Sequence, residues 1–219
     1  MTAALAACAL LASCGSGGPQ RSPLVAAVGT MAQAGLGQIV GRGGGTAAVA
    51  GPVTRADLEA AGTPILRAAI AARAADLLLT VAATQGNIVT WITPDGTTFT
   101  LRDGVLIQTR GLGADLMSSQ APTIGQLLQD GGTHQRRYFF LGEDDRQTRR
   151  TYDCTVDVVG PETIEIFDRP HAVTRVNEEC ARPQGSITNA FWIEGSTIRR
   201  SRQLASGPVG FIVFERVVD

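Results

Sequence analysis

At 219 residues the chain has the length of one domain with an N-terminal appendage, and its 44% apolar share is enough for a sizeable core. A net charge of −1 gives no reason to expect nucleic acid or an anionic membrane surface as partner. All 19 basic residues are Arg, so Schiff-base chemistry and a P-loop lysine are excluded on this chain.

Residues 1–13 are small and apolar, too short a run for a spanning helix of about 20 residues. They fit the apolar region of a signal peptide. Leu11-Ala12-Ser13-Cys14 then resembles a bacterial lipobox, and Gly15-Ser16-Gly17-Gly18 supplies a tether. Cys14 is therefore the expected lipidation site. Two alternatives stay open: Leu5-Ala6-Ala7-Cys8 also fits the pattern, and an ordinary secretory signal would leave Cys14 unmodified. No Arg precedes the run, so the natural start is expected upstream of Met1. By resemblance to proteobacterial lipoproteins, Gly15 rather than Asp after the Cys implies the outer membrane. Several acyl chains would anchor the protein stably.

Residues 14–53 read as anchor plus a flexible or weakly helical segment. Gly41-Arg42-Gly43-Gly44-Gly45-Thr46 lacks the lysine of a phosphate cradle and reads as loop. The β-rich domain is expected over 54–219. Thr54-Arg55-Ala56-Asp57 starts a short helix that ends before Gly62. Alanine content favours a helix over 63–84, whereas Leu77-Leu78-Leu79-Thr80-Val81 and the Gly86-Asn87 turn favour strands. Two strands, near 64–72 and 75–83, are the preferred reading.

The clearest β signal follows. Three strand-like runs between 88 and 110 are punctuated by Pro94-Asp95-Gly96 and Asp103-Gly104, both tight-turn signals. Pro122-Thr123-Ile124-Gly125-Gln126 opens one or two helical turns near 122–129. Strands are then expected at 137–141, 151–159, 163–167, 172–177, 190–194, 197–204 and 210–217. The breaks between them include Gly160-Pro161, Arg169-Pro170, Gly195-Ser196 and Gly207-Pro208. This spacing predicts an all-β fold: an antiparallel meander curling into a barrel or a sandwich, with short helices.

Cys154 and Cys180 remain once Cys8 is removed and Cys14 lipidated; in an exported protein the pair reads as a disulfide. A zinc site would need two more ligands, and His134 and His171 lack metal-type spacing. No cofactor loop is expected. For catalysis the candidates are carboxylates. Glu143, Asp144 and Asp145 stand among Arg146, Arg149 and Arg150, which favours a solvated loop over an acid pair. Asp115 reads as a turn or cap residue before it reads as an acid. Trp91 and Trp192 are the only tryptophans; core packing is favoured over a sugar-stacking surface.

The lipobox, the segment from Asn87 through Trp91 to Gly96, and the segment from Asp103 through Thr109-Arg110-Gly111-Leu112-Gly113-Ala114-Asp115-Leu116 together have a family character. From about Thr54 to the C-terminus the chain resembles the group 4 capsule polysaccharide lipoprotein family, the YjbF/GfcB type. The resemblance implies an outer-membrane lipoprotein of polysaccharide production or export, with no catalytic residues to carry over. Two classes stay open. One is a non-enzymatic accessory binding polysaccharide or another export protein. The other is a polysaccharide-modifying enzyme using Asp115 or the 143–145 carboxylates.

Overall fold

The computed structural model describes residues 53–141 and 146–219. Within them the chain forms one twelve-stranded antiparallel sheet. In order these are β1 (Ile65–Ile70), β2 (Ala75–Gln85), β3 (Ile88–Ile92), β4 (Thr98–Arg102), β5 (Val105–Arg110), β6 (Leu116–Gln120), β7 (Thr133–Leu141), β8 (Gln147–Ile166), β9 (Arg169–Arg182), β10 (Gly185–Glu194), β11 (Thr197–Ser206) and β12 (Gly210–Val218). Every neighbour in sequence is a neighbour in the sheet except β5 and β6, and β12 pairs back onto β1. The result is a nearly closed barrel with one seam, between β5 and β6.

The expected β3–β4–β5 meander forms. Asp103 and Gly104 both take positive φ, 50° and 85°, the two-residue hairpin geometry that suits the twist of the flanking strands. Gly104 is also fixed by packing, since a Cβ there would stand 2.9 Å from Ile198 Cβ. Residues 63–84 fold as β1 and β2 joined by a 3₁₀ turn at Ala71–Arg73. Helix propensity loses because Leu66, Ala68 and Ile70 alternate into the core opposite Leu79, Leu77 and Ala75. Two helices frame the sheet. Helix α1 (Arg55–Glu59) has the capping box of Thr54 with Asp57, and α2 (Ile124–Leu127) that of Thr123 with Gln126.

Strands β9 and β10 run on through most of 178–189, which the sequence reading left outside strands; three further features differ from it. First, Gly160-Pro161 does not separate two strands: β8 runs through it for 20 residues, with a bulge between Val158 and Gly160. Beyond Thr155 the far edge of β8 has no β7 partner, and an edge or a bulge is where a sheet tolerates proline. Second, Arg169-Pro170 does not precede a strand but begins one, β9. Third, β6 follows directly on Asp115, where the sequence carries no strand signal of its own.

The largest cluster fills the barrel: Leu66, Ile70, Leu79, Trp91, Phe99, Leu106, Ile212 and Phe214 from one side, Tyr138, Phe140, Tyr152 and the two cysteines from the other. A second cluster lies outside it. Past the bulge, Ile164, Ile166 and Val173 pack with Ile65, Leu78 and Val217 from the outer row of the sheet and with Leu58 of α1. The β8–β9 tip thus folds over the outer face of the barrel. Arg55 pins it there, donating to the carbonyls of Ile166 (2.6 Å), Phe167 (2.9 Å) and Val217 (2.7 Å). In a third cluster Leu127 of α2 packs on Val105, Val156, Phe191 and Ile198 and stops one part of the barrel end.

Candidate functional site

The turns at 86–87, 103–104 and 195–196 and the C-terminus all gather at one end of the barrel. Beside the part stopped by α2, this end opens into a cavity of about 210 Å³. Its floor is apolar, from Trp91, Phe214 and Leu66. Its rim is polar, from Asn87, Asp103, Arg199 and Arg216, and buried Ser201 stands opposite Phe214 at the level of the floor. Trp91, 3% exposed, reaches this floor because β3 alternates and the inward row of β3 meets that of β4, Trp91 standing opposite Phe99.

A hydrogen bond and an ion cluster hold the rim. Asn87 Nδ2 donates to Asp103 Oδ2 at 2.6 Å, tying the β2–β3 and β4–β5 turns together. Arg199 donates through Nε to Glu194 (2.6 Å) and through Nη1 to both Asp219 oxygens (2.7 and 2.9 Å), and Arg216 Nε lies 3.0 Å from Asp219. The Arg199 hydrogen bond holds the Glu194 carboxyl below the usual carboxylate range. Partial burial pushes Asp219 up, but Arg199 outweighs it and holds that carboxyl low as well.

A second polar group lies deeper. Arg136 and Glu178 are both fully buried, with Arg136 Nη1 donating to Glu178 Oε2 at 2.6 Å. His134 Nε2 sits 2.7 Å from Glu178 Oε1, and Asn189 Nδ2 donates to Oε2 at 2.7 Å. Arg136 also stacks over the Tyr138 ring at 5.0 Å. Burial pushes Glu178 up, yet Arg136, His134 and Asn189 together hold its carboxyl below the usual range. Burial pushes the Tyr138 hydroxyl up to about 12.

Cys154 and Cys180, directly opposite on β8 and β9, are joined as a disulfide beside this group. Ligand atoms of His134, Cys154 and Glu178 fall within 4.8 Å of one another. They do not suit a metal: the sulfur is bonded to Cys180, and a guanidinium occupies the carboxylate.

Asp115 is part of neither group. Its Oδ1 accepts from Thr109 Oγ1 (2.8 Å) and Leu112 N (3.2 Å), and its Oδ2 from Gly111 N (3.0 Å). Leu116 N in turn donates to Thr109 Oγ1 (2.9 Å), and Arg110 donates to the carbonyl of Leu116 (3.2 Å). This lattice holds the turn that joins β5 to β6, so Asp115 serves as a turn residue; strand β6, not a helix, follows it. Trp192 is half-buried against the outer cluster, donates to Glu162, and lies between Arg175 and Arg200. The two tryptophans therefore sit on opposite faces of the sheet and share no surface. Cys14 and the 143–145 carboxylates lie outside the described residues.

The sequence reading missed both polar groups. One signal was available: His134, Arg136, Tyr138 and Phe140 alternate, as do Val176, Glu178 and Cys180, so the charged members share the inward parity of their apolar neighbours.

Residues 47–217, most of the chain, match the family model described as group 4 capsule polysaccharide lipoprotein gfcB, YjbF. The chain belongs to this family. Among solved structures, the hypothetical lipoprotein YmcC from Escherichia coli K12 is similar with a TM-score of 0.71 at 18% identity, over 92% of this chain and 98% of that one. At this identity the likeness is one of fold. A putative exported protein with a YmcC-like fold from Bacteroides fragilis NCTC 9343 aligns at TM-score 0.33 and 14% identity, over 71% of this chain and 94% of that one. Comparison with curated proteins gave no match. The YjbF family carries capsule polysaccharide and lipoprotein in its description, so a capsule-related role and lipid attachment follow for this chain at that level.

Proposed function

We propose that this YjbF-family protein is a non-enzymatic accessory of capsule or exopolysaccharide export. In this reading it is held to the outer membrane by acyl chains on Cys14 and faces the periplasm. The observation that carries the reading is the family match over residues 47–217. The mouth cavity is then the place where polysaccharide meets the protein, with an aromatic floor suited to the apolar face of a sugar and a hydrogen-bonding rim. The chain enters the barrel at this same end, since Arg55 of α1 reaches the Val217 carbonyl, next to Arg216 of the rim. A second export protein docking on the barrel is the remaining partner in this reading.

An enzymatic role for Asp115 is disfavoured by its contacts, since Thr109, Gly111 and Leu112 all donate to its carboxylate at the seam. The test is made in cells and on purified protein. Deleting the gene lowers surface polysaccharide, and a Glu143→Gln, Asp144→Asn, Asp145→Asn triple variant restores it. The purified protein releases no reducing ends from that polysaccharide. Release of reducing ends that the triple variant or Asp115→Asn abolishes, with the fold retained, establishes the enzyme instead.

A further inference from the structure

The rim of the mouth cavity has more donor capacity than its own contacts use. Arg216 offers five N–H donors, and its one ion pair runs through Nε to Asp219. Its two terminal nitrogens hold no hydrogen bond among the described residues. Arg199 commits Nε and Nη1 and leaves Nη2. Ser201 accepts from Gln203 Nε2 at 2.9 Å, so its own hydroxyl hydrogen remains to be given. The carboxylate on the cavity wall, Asp103, is clasped by Asn87. Asp103 Oδ2 is engaged by Asn87 and both Asp219 oxygens by Arg199, while the terminal nitrogens of Arg216 and Nη2 of Arg199 are left over above a floor of Trp91 and Phe214.

Size narrows the ligand. At about 210 Å³ the cavity is smaller than the range of roughly 300–1,000 Å³ that drug-sized ligands occupy. One pyranose ring is the natural scale. An open end at the turns lets the rest of a chain continue outside.

From these observations we infer that the mouth cavity is a subsite for one carboxylate-bearing sugar residue, a hexuronate unit of an acidic polysaccharide. The ring lies against Trp91 and the carboxylate meets the terminal nitrogens of Arg216, with Arg199 beside it. A guanidinium fork matches a carboxylate in two parallel hydrogen bonds, which a hydroxymethyl group at the same position does not reproduce. The inference rests on the accessory reading above and adds the chemical class of the polysaccharide.

The test uses the full chain purified in detergent, with Trp192→Phe so that Trp91 alone reports by fluorescence. Methyl β-D-glucuronide and methyl β-D-glucoside are titrated in parallel. The glucuronide gives a saturable change in Trp91 emission, and the glucoside binds at least about tenfold more weakly. Arg216→Gln lowers glucuronide affinity by about tenfold, which erases the preference for the acid, while Arg216→Lys recovers part of it, and loss of the Asp219 ion pair lowers the melting temperature by no more than about 4 °C. Equal affinity for the two glycosides overturns the acidic class. No saturable change with either, in a protein of normal melting temperature, overturns the subsite. If deletion of the gene still depletes surface polysaccharide in that case, the accessory role stands and the subsite alone falls.

Discussion

Glu178 is the fully buried carboxylate at the centre of the deeper polar group. Its carboxylate has no access to water and takes all its compensation from Arg136, His134 and Asn189. Removing one partner of such a pair strands the other charge, so Glu178→Gln is expected to cost about 3–5 kcal/mol of unfolding free energy. A double Arg136→Met, Glu178→Met variant should regain much of it, because neither charge is then left alone. The pH dependence has a definite sign. The folded carboxyl titrates below its ordinary value, so its contribution is complete above that value and drains away as pH falls through the folded one. Urea midpoints should therefore drop below about pH 4.5, and the acid limb should be shallower in Glu178→Gln. An identical acid limb in both proteins would remove Glu178 from the explanation.

At the scale of elements, the β8–β9 hairpin changes role along its length. Up to Val158 its even-numbered β8 residues line the barrel; past the bulge Ile164 and Ile166, of the same parity, belong to the outer cluster instead. One extra residue bends the strand and transfers a row of side chains from one face to the other. The tip is then held by Arg55, whose three bonds to carbonyls are charge-assisted. Arg55→Ala should lower stability by about 1.5–3 kcal/mol. It should also speed hydrogen exchange at 162–173 more than in β1–β5. Uniform acceleration, or none at the tip, would show that the outer cluster holds the hairpin without the clamp.

Across the whole molecule, three kinds of link hold the nearly closed barrel together. β12 pairs with β1, Asp115 and Thr109 bridge the β5–β6 seam, and Cys154–Cys180 ties β8 to β9. The disulfide closes a loop of 26 residues, worth up to about 3.5 kcal/mol in the chain-entropy description. A Cys154→Ala, Cys180→Ala variant is expected to keep the sheet and lose up to about that amount, measured by urea unfolding with and without reductant. Reductant should shift the natural protein and leave the variant where it was. A natural protein indifferent to reductant would place its stability in packing alone.

What the sequence determined by itself was local. Asp103-Gly104 specified a hairpin because a positive-φ pair matches strand twist, and the two capping boxes specified helix starts through their own side chains. Alternation fixed which face of each strand is apolar, and with it the all-β class. The two cysteines announced a bond through their number and the exported setting. Other features were decided only by tertiary structure. Gly160-Pro161 reads locally as a break, yet it is a bulge, because β9 continues to pair with β8 on the other side. Glu178 reads as one more surface acid; only the approach of β7 and β10 supplies Arg136, His134 and Asn189 around it. The mouth cavity draws its wall from β3 and β4 and its guanidiniums from β11 and β12, about a hundred residues apart in the chain. Turns and parity are encoded within a few residues, whereas a barrel end exists only once β12 has returned to β1. No local propensity carries that information.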